Sequence, residues 1–253
     1  MSKKELAVKA AKEAGKTLMD YYGNLHKIIE KSPNNYVTEA DLASEKLVID
    51  MIKKNFPDHE IISEEAGKIN SSDHVWHIDP LDGTHNFMHQ IPFFGVSIAY
   101  AYKGEVQLGV IYCPYVGDLY VAEKGKGAFC NGKKIAVSDK DRVRNFIIIF
   151  DGALHKKTDL KFGLLRELVK RCHRIRLLGA AVYQCISVAI GGAEGYIELS
   201  TNSWDVAAGL LLIREAGGRV TGFDNKDWKI GTKEFVASNG KHHEEFLDIV
   251  NKK

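Results

Sequence analysis

Hydrophobic residues follow one rhythm in the first half of this chain and another in the second. Over residues 3–22, Leu6, Ala10, Ala14 and Leu18 recur every four positions, with Ala7, Ala11 and Met19 beside them. That spacing predicts a helix with one buried face, stopped at Gly23. Ser32-Pro33-Asn34-Asn35 reads as a loop, and Thr38 opens a second helix through Leu42, Leu47, Val48, Met51, Ile52 and Phe56, closed by Pro57. Short apolar runs at 60–63 and 75–78 predict strands. Phe94, Val96, Ile98 and Tyr100 alternate, which predicts a half-buried strand. Lys103-Gly104 turns it back into 106–112, and Gly125, Gly127 and Asn131-Gly132 punctuate further antiparallel strands. To about Ser138, then, two helices pack on an antiparallel sheet.

Beyond that point strands and helices alternate. Strands are predicted at 146–150, 174–178 and 195–199, with helices at 160–172, 181–190 and 206–216, the last closed by Gly217-Gly218. This implies α/β layering. The expected organisation is two halves, 1–138 and 139–253. No repeat, low-complexity stretch or long linker separates them, so they are expected to share an interface.

Composition narrows the class. Of 253 residues 45% are hydrophobic and 27% charged, ordinary values for a globular protein. Lys+Arg of 35 against Asp+Glu of 33 leaves +2, with no basic stripe that would point to nucleic acid. Cys113, Cys130, Cys172 and Cys185 form no C-x-x-C pair, which suits buried thiols in a reducing cytoplasm. The first residues carry no apolar signal core, and the apolar stretch 177–190 is too short to span a bilayer.

The chemistry concentrates where the apolar run Val75-Trp76-His77-Ile78 meets Asp79-Pro80-Leu81-Asp82-Gly83-Thr84. Two carboxylates flank a stiff Pro80, Gly83 permits a close backbone approach, and Thr84 opens a helix through Asn86-Phe87. Acids beside a helix N-terminus suit cations bridged to a phosphate, although Asp82 as a plain helix cap is the simpler reading. Asp41, three residues after Thr38, also fits a capping box. Glu64 and Glu65 follow a strand, and Asp205 sits near a helix start. All-oxygen donors favour a hard cation over zinc or iron. His74 and His77, three apart in a strand, face opposite sides and are read as structural, and His85 is given no chemical role.

The string D-P-L-D-G-T-H-N-F and the later Trp204-Asp205-Val206-Ala207-Ala208-Gly209 resemble the two signatures of the inositol monophosphatase family, in order and over nearly the whole chain. The resemblance implies an alternating α-β-α-β-α layered sandwich and a lithium-sensitive, magnesium-dependent phosphatase, forming a homodimer and using up to three ions. Asp79 would bridge two ions. Glu64 and the Leu81 carbonyl would complete one site, Asp82 and Asp205 the other, and Glu64 with water a third. Thr84, oriented by Asp41, would act on a metal-activated water attacking phosphorus in line. Gly83 and Thr84 N–H groups would hold the phosphate. Glu198, seven residues before Asp205, would bind substrate hydroxyls, and Ala180 and Ala181 would line the polyol pocket. Only residues 67–73 separate Glu64 from the next strand as a flexible loop, a short connection for a mobile metal-binding lid.

The implied substrate is a small phosphomonoester, by default myo-inositol 1-phosphate, with no nucleic-acid or membrane partner. Fructose 1,6-bisphosphate is the alternative. Arg174 and Arg176 share a strand face leading into Ala180 and Ala181, where a guanidinium would hold a second phosphate, unless that face is a solvated edge. A silent sugar-phosphate-binding protein is the reading from another class. It would lack a ligand acid or the threonine, and this sequence has them all.

Overall fold

The computed structural model describes residues 1–252. Helices α1 (Lys3–Tyr21) and α2 (Glu39–Asn55) pack side by side. Ser2 and Thr38 cap them through capping boxes completed by Glu5 and Asp41. Between them, where the sequence suggested only a loop, lies an antiparallel hairpin, β1 (Ile28–Ser32) and β2 (Asn35–Thr38). Every residue of β1 is exposed, so no alternation of apolar and polar positions marks it.

The chain then lays down β3 (Glu60–Ser63), β4 (Gly67–Ile69), β5 (His74–Asp82), the short α3 (Thr84–Met88), β6 (Gly95–Tyr102), β7 (Glu105–Cys113), β8 (Asp118–Glu123), β9 (Gly127–Cys130) and β10 (Lys133–Lys134). These strands form an eight-stranded sheet ordered β10-β9-β8-β7-β6-β5-β3-β4, in which β3 and β5 run parallel. Part of the segment expected to be a flexible loop is the edge strand β4, with Ile69 opposite Ile61. A second correction concerns β6, predicted half-buried: its residues 95–101 are all buried, because helices cover both faces of the sheet there.

The remainder comprises β11 (Ile147–Phe150), α4 (Thr158–Val169), β12 (Arg174–Arg176), α5 (Ala181–Ala189), β13 (Gly195–Glu198), α6 (Ser203–Glu215), β14 (Arg219–Thr221), β15 (Phe235–Ser238) and α7 (His243–Asn251). Its five strands are ordered β12-β11-β13-β15-β14, the first three parallel. Helices α1 and α2 cover the outer face of the first sheet, α5 and α6 lie between the sheets, and α4 and α7 cover the second. The result is the α-β-α-β-α sandwich.

Helix α6 is buried from residue 206 to 213, as a helix apolar all round must be. Small residues let it sit close. A Cβ on Gly109 of β7 would lie 2.6 Å from the Ala208 carbonyl oxygen, and one on Gly209 would lie 2.4 Å from Cys185 Cβ in α5. Among the described residues no helix is long and apolar enough to cross a membrane.

Candidate active site

The end of β5 places the first two acids. Asp79 pairs with Ser97 and Asp82 with Gly95, so β5 carries one residue more than β6 in that interval. In a regular strand residues three apart face opposite sides. The bulge re-aims them, Pro80 falls where the ladder is interrupted, and both carboxylates line one cavity. Gly83 then turns the chain into α3 with φ +87°, and a Cβ there would lie 2.7 Å from the Phe93 carbonyl oxygen. No other residue suits both conditions.

The cavity, about 680 Å³, is bordered by Glu64, Leu81, Gly83, Thr84 and Asp205 as well. Carboxylate oxygens of Glu64, Asp79 and Asp205 all lie within 4.8 Å of one another. Each acid is held from behind. Buried Glu45 accepts from Ser63 Oγ (2.5 Å), Glu65 N (3.1 Å) and Ala66 N (2.9 Å), fixing the turn that carries Glu64. Asp79 Oδ1 accepts from Leu81 N (3.0 Å), and Asp205 Oδ2 from Asn202 N (2.8 Å) and Thr201 Oγ1 (3.0 Å). The first turn of α6 docks on the sheet through Ser97 Oγ to the Trp204 carbonyl (3.2 Å) and Ser203 Oγ against His77 Nδ1 (2.9 Å). His77 therefore faces α6, whereas His74 stacks on His59 and Tyr102 on the other side.

The three acids are poorly neutralised. Burial, then the Asp205 charge, pushes Glu64 up to about 8. Asp79 is raised well above the carboxylate range by burial and by Glu64 and Asp82, and burial raises Asp205 too. Lys31 Nζ stands 3.6 Å from Glu64 Oε1 but lies closer, at 2.6 Å, to Glu65. Among the described residues no Lys, Arg or His pairs with Asp79 or Asp205. A crowded, all-oxygen donor set lacking a counter-charge fits a hard divalent cation. Asp82, pushed to about 7 by burial, borders the same cavity outside this trio and accepts from Val182 N (2.7 Å).

Thr84 Oγ1 lies 3.2 Å from Asp41 Oδ1 and 3.1 Å from the Leu81 carbonyl, two acceptors for one proton. Asp41 stands behind it, outside the cavity lining. Its other oxygen accepts from Thr38 N and Oγ1, and burial outweighs these bonds to raise it to about 6. Asp41 is thus both the cap of α2 and the partner of Thr84.

The second sheet supplies another wall. Ala180, Ala181 and Glu198 line it, and Glu198 is buried: Oε2 accepts from Tyr196 (2.6 Å) and Oε1 from Leu199 N and Ser200 N (3.0 Å each). Arg174 and Arg176 do not reach it. They are exposed on β12, the edge strand, and Arg176 borders a separate apolar groove with Phe162 and Val169. Two further wall features escaped the sequence reading. His85 holds Asn34 of the β1–β2 turn through its Nε2 (3.0 Å). Asp151 follows the apolar β11 as Asp79 follows the run Val75-Trp76-His77-Ile78, so the same signal, an acid closing an apolar run, was available for it.

A layered sandwich with carboxylates converging from two strand ends and one helix start, beside a threonine held by a buried acid, defines a class of phosphate-ester hydrolases. The chain belongs to the inositol monophosphatase family, whose model matches residues 3–253. It is 36% identical over 252 residues to the fructose-1,6-bisphosphatase/inositol-1-monophosphatase of Thermotoga maritima, covering 99% of this chain and 96% of that one. It is 37% identical over 252 residues to the Nus factor SuhB of Pasteurella multocida, covering 97% and 94%. The solved extragenic suppressor protein suhB of Bartonella henselae superposes with a TM-score of 0.93 at 35% identity, covering 98% of each chain. The protein is a phosphatase of a metal-dependent family.

Proposed function

We propose that this chain hydrolyses a small polyol phosphate monoester, myo-inositol 1-phosphate by preference, using magnesium ions held by Glu64, Asp79 and Asp205. The observation that carries the reading is the trio of carboxylates within 4.8 Å, without ion-pair partners on Asp79 and Asp205, next to Thr84 and Asp41. Asp82 and the Leu81 carbonyl extend the donor set for up to three ions. Bound magnesium supplies Lewis-acid activation of water and stabilises charge on the phosphoryl and leaving oxygens. The protein's own part is positional. Ionised Asp41 draws the Thr84 proton, which leaves the Thr84 oxygen as an acceptor that orients the attacking water. Gly83 and Thr84 N–H groups hold the phosphate, and Glu198, Ala180 and Ala181 border the polyol. Four unpaired cysteines suit a cytoplasmic enzyme, and the family's homodimer and lithium inhibition come with the reading.

The dual name of the Thermotoga relative keeps fructose 1,6-bisphosphate as an alternative, but the arginines that would have held its second phosphate lie off the cavity. The test is phosphate release from both esters with magnesium and with EDTA. The expected result is magnesium-dependent release with higher kcat/KM for inositol 1-phosphate. No release from either ester overturns the proposal, and a preference for the bisphosphate replaces the substrate.

A further inference from the structure

We infer that Asp151 acts beside Glu198 as a receptor for substrate hydroxyls, the two carboxyl groups together reading a pair of neighbouring O–H donors. The inference rests on the polyol reading above and names a specificity residue that the family signatures do not contain.

The second sheet sets the pair side by side. Strands β11 and β13 run parallel with Phe150 opposite Ile197, so the next residues, Asp151 and Glu198, emerge together at the same end. Asp151 N donates to the Ile197 carbonyl at 3.0 Å, which holds that register one residue past the strand. Both side chains are buried and both line the cavity.

Their protein partners come from behind or from the strand itself. Glu198 takes the Tyr196 hydroxyl and the Leu199 and Ser200 N–H groups. Asp151 Oδ1 takes Ala153 N (2.8 Å), while Oδ2 has only the ion pair to Lys161 Nζ at 2.7 Å and no hydrogen bond of good geometry. An ionised carboxylate offers about four acceptor positions; the protein fills one on each oxygen, and Oδ2 is shut off from solvent, so the capacity left for a ligand lies on Oδ1. The lysine is not presented to a ligand. It is wholly buried and also donates to the Ala153 carbonyl at 2.6 Å. Its ammonium neutralises Asp151, fixes its orientation and leaves acceptors without net cationic character on the wall. Such a wall takes neutral hydroxyl donors and has nothing to offer an aromatic leaving group.

The test compares two esters that share the phosphate, inositol 1-phosphate and phenyl phosphate, on the full chain with magnesium. Asp151→Asn is expected to raise KM for inositol 1-phosphate about 10- to 100-fold, the loss of a charge-assisted hydrogen bond. Phenyl phosphate kinetics should stay within about twofold. Because Asp151→Asn strands a buried lysine, Asp151→Asn with Lys161→Met removes both charges and should show the same split. Equal losses on both esters, or an unchanged KM for the inositol ester in a folded variant, overturn the inference. A parent enzyme that turns over phenyl phosphate but not inositol 1-phosphate overturns the substrate reading instead. The split is then measured on glucitol 6-phosphate, where a parent with no advantage over phenyl phosphate also overturns the role of Asp151.

Discussion

Two groups of acids face one cavity, and they differ in what balances them. Glu64, Asp79 and Asp205 converge with only Lys31 within ion-pair distance, itself closer to Glu65, and with Lys156 a weaker favourable charge on Asp205. Of the second group, Asp151 has a lysine built into the core behind it, while Glu198 has none and is pushed up to about 8 by burial and the neighbouring Asp151 charge. The first group is at odds with itself until a cation arrives. The second has one of its acids neutralised from within as folded. Burial alone therefore does not reveal what a carboxylate is for; on the proposed assignment, an internal counter-charge is what sets Asp151 apart from the cation-holding trio.

Asp79→Asn is the severest way to break this contrast. Turnover should fall by about 10³-fold or more, while the melting temperature in EDTA should not drop, because a repulsive charge is gone. Near-normal turnover at low magnesium would refute the role given to Asp79. Thr84→Ala should lower kcat by about 10²-fold with little change in KM. Asp41→Ala should do the same, with no further loss when the two are combined; additive losses would reduce Asp41 to a helix cap. With Asp41 raised to about 6, parent kcat should also decline below that pH as the carboxyl becomes protonated and stops drawing the Thr84 proton.

Lys161→Met tests the balanced group from the other side. Removing one partner of a buried ion pair should cost about 3–5 kcal/mol of stability in urea titration, unlike the neutralisation of Asp79. A cost below about 1 kcal/mol would place the pair among those that contribute little. The pH dependence is subtler. Asp82 and Glu64 bind protons more tightly folded than unfolded, so they favour the folded state while protonated. That contribution is complete below the ordinary values of 3.8 and 4.5 and is lost progressively as pH rises from there to about 7 for Asp82 and about 8 for Glu64. The melting temperature in EDTA should fall over that range and recover with magnesium; a flat profile would contradict the crowding of the trio. Arg176→Ala carries the smallest expectation, a change below about twofold on either ester. A selective loss on the bisphosphate would return Arg176 to the site.

Much of this was legible in the chain because the relevant signals are local. Capping at Thr38, the apolar run before Asp79 and the apolar helix after Trp204 each declare themselves within ten residues. What escaped depends on distant partners. The exposed β1 carries no periodic signal, and β4 is a strand because β3 lies beside it. Alternation along β6 suggested one wet face, whereas helices from both ends of the sequence bury both. Arg174 and Arg176 do share a face, but only sheet order shows that their strand is an edge remote from the cavity. Conversely, Lys161 looks like any helix lysine until Asp151 is found against it.

Gly109 has a consequence that reaches the catalytic centre from outside it. Ala208, whose carbonyl oxygen lies 2.6 Å from where its Cβ would be, follows Asp205 by nearly one helical turn. Ordinary contact starts near 3.4 Å, so even a methyl group would act as a shim beneath α6. It would tilt the helix start that carries Asp205 relative to the sheet that carries Asp79. Displacements near one ångström can cost about 10²-fold in rate. The gauge of the carboxylate trio is thus set by an absent side chain in mid-sheet, and tolerance at position 109 is governed by chemistry that it never touches.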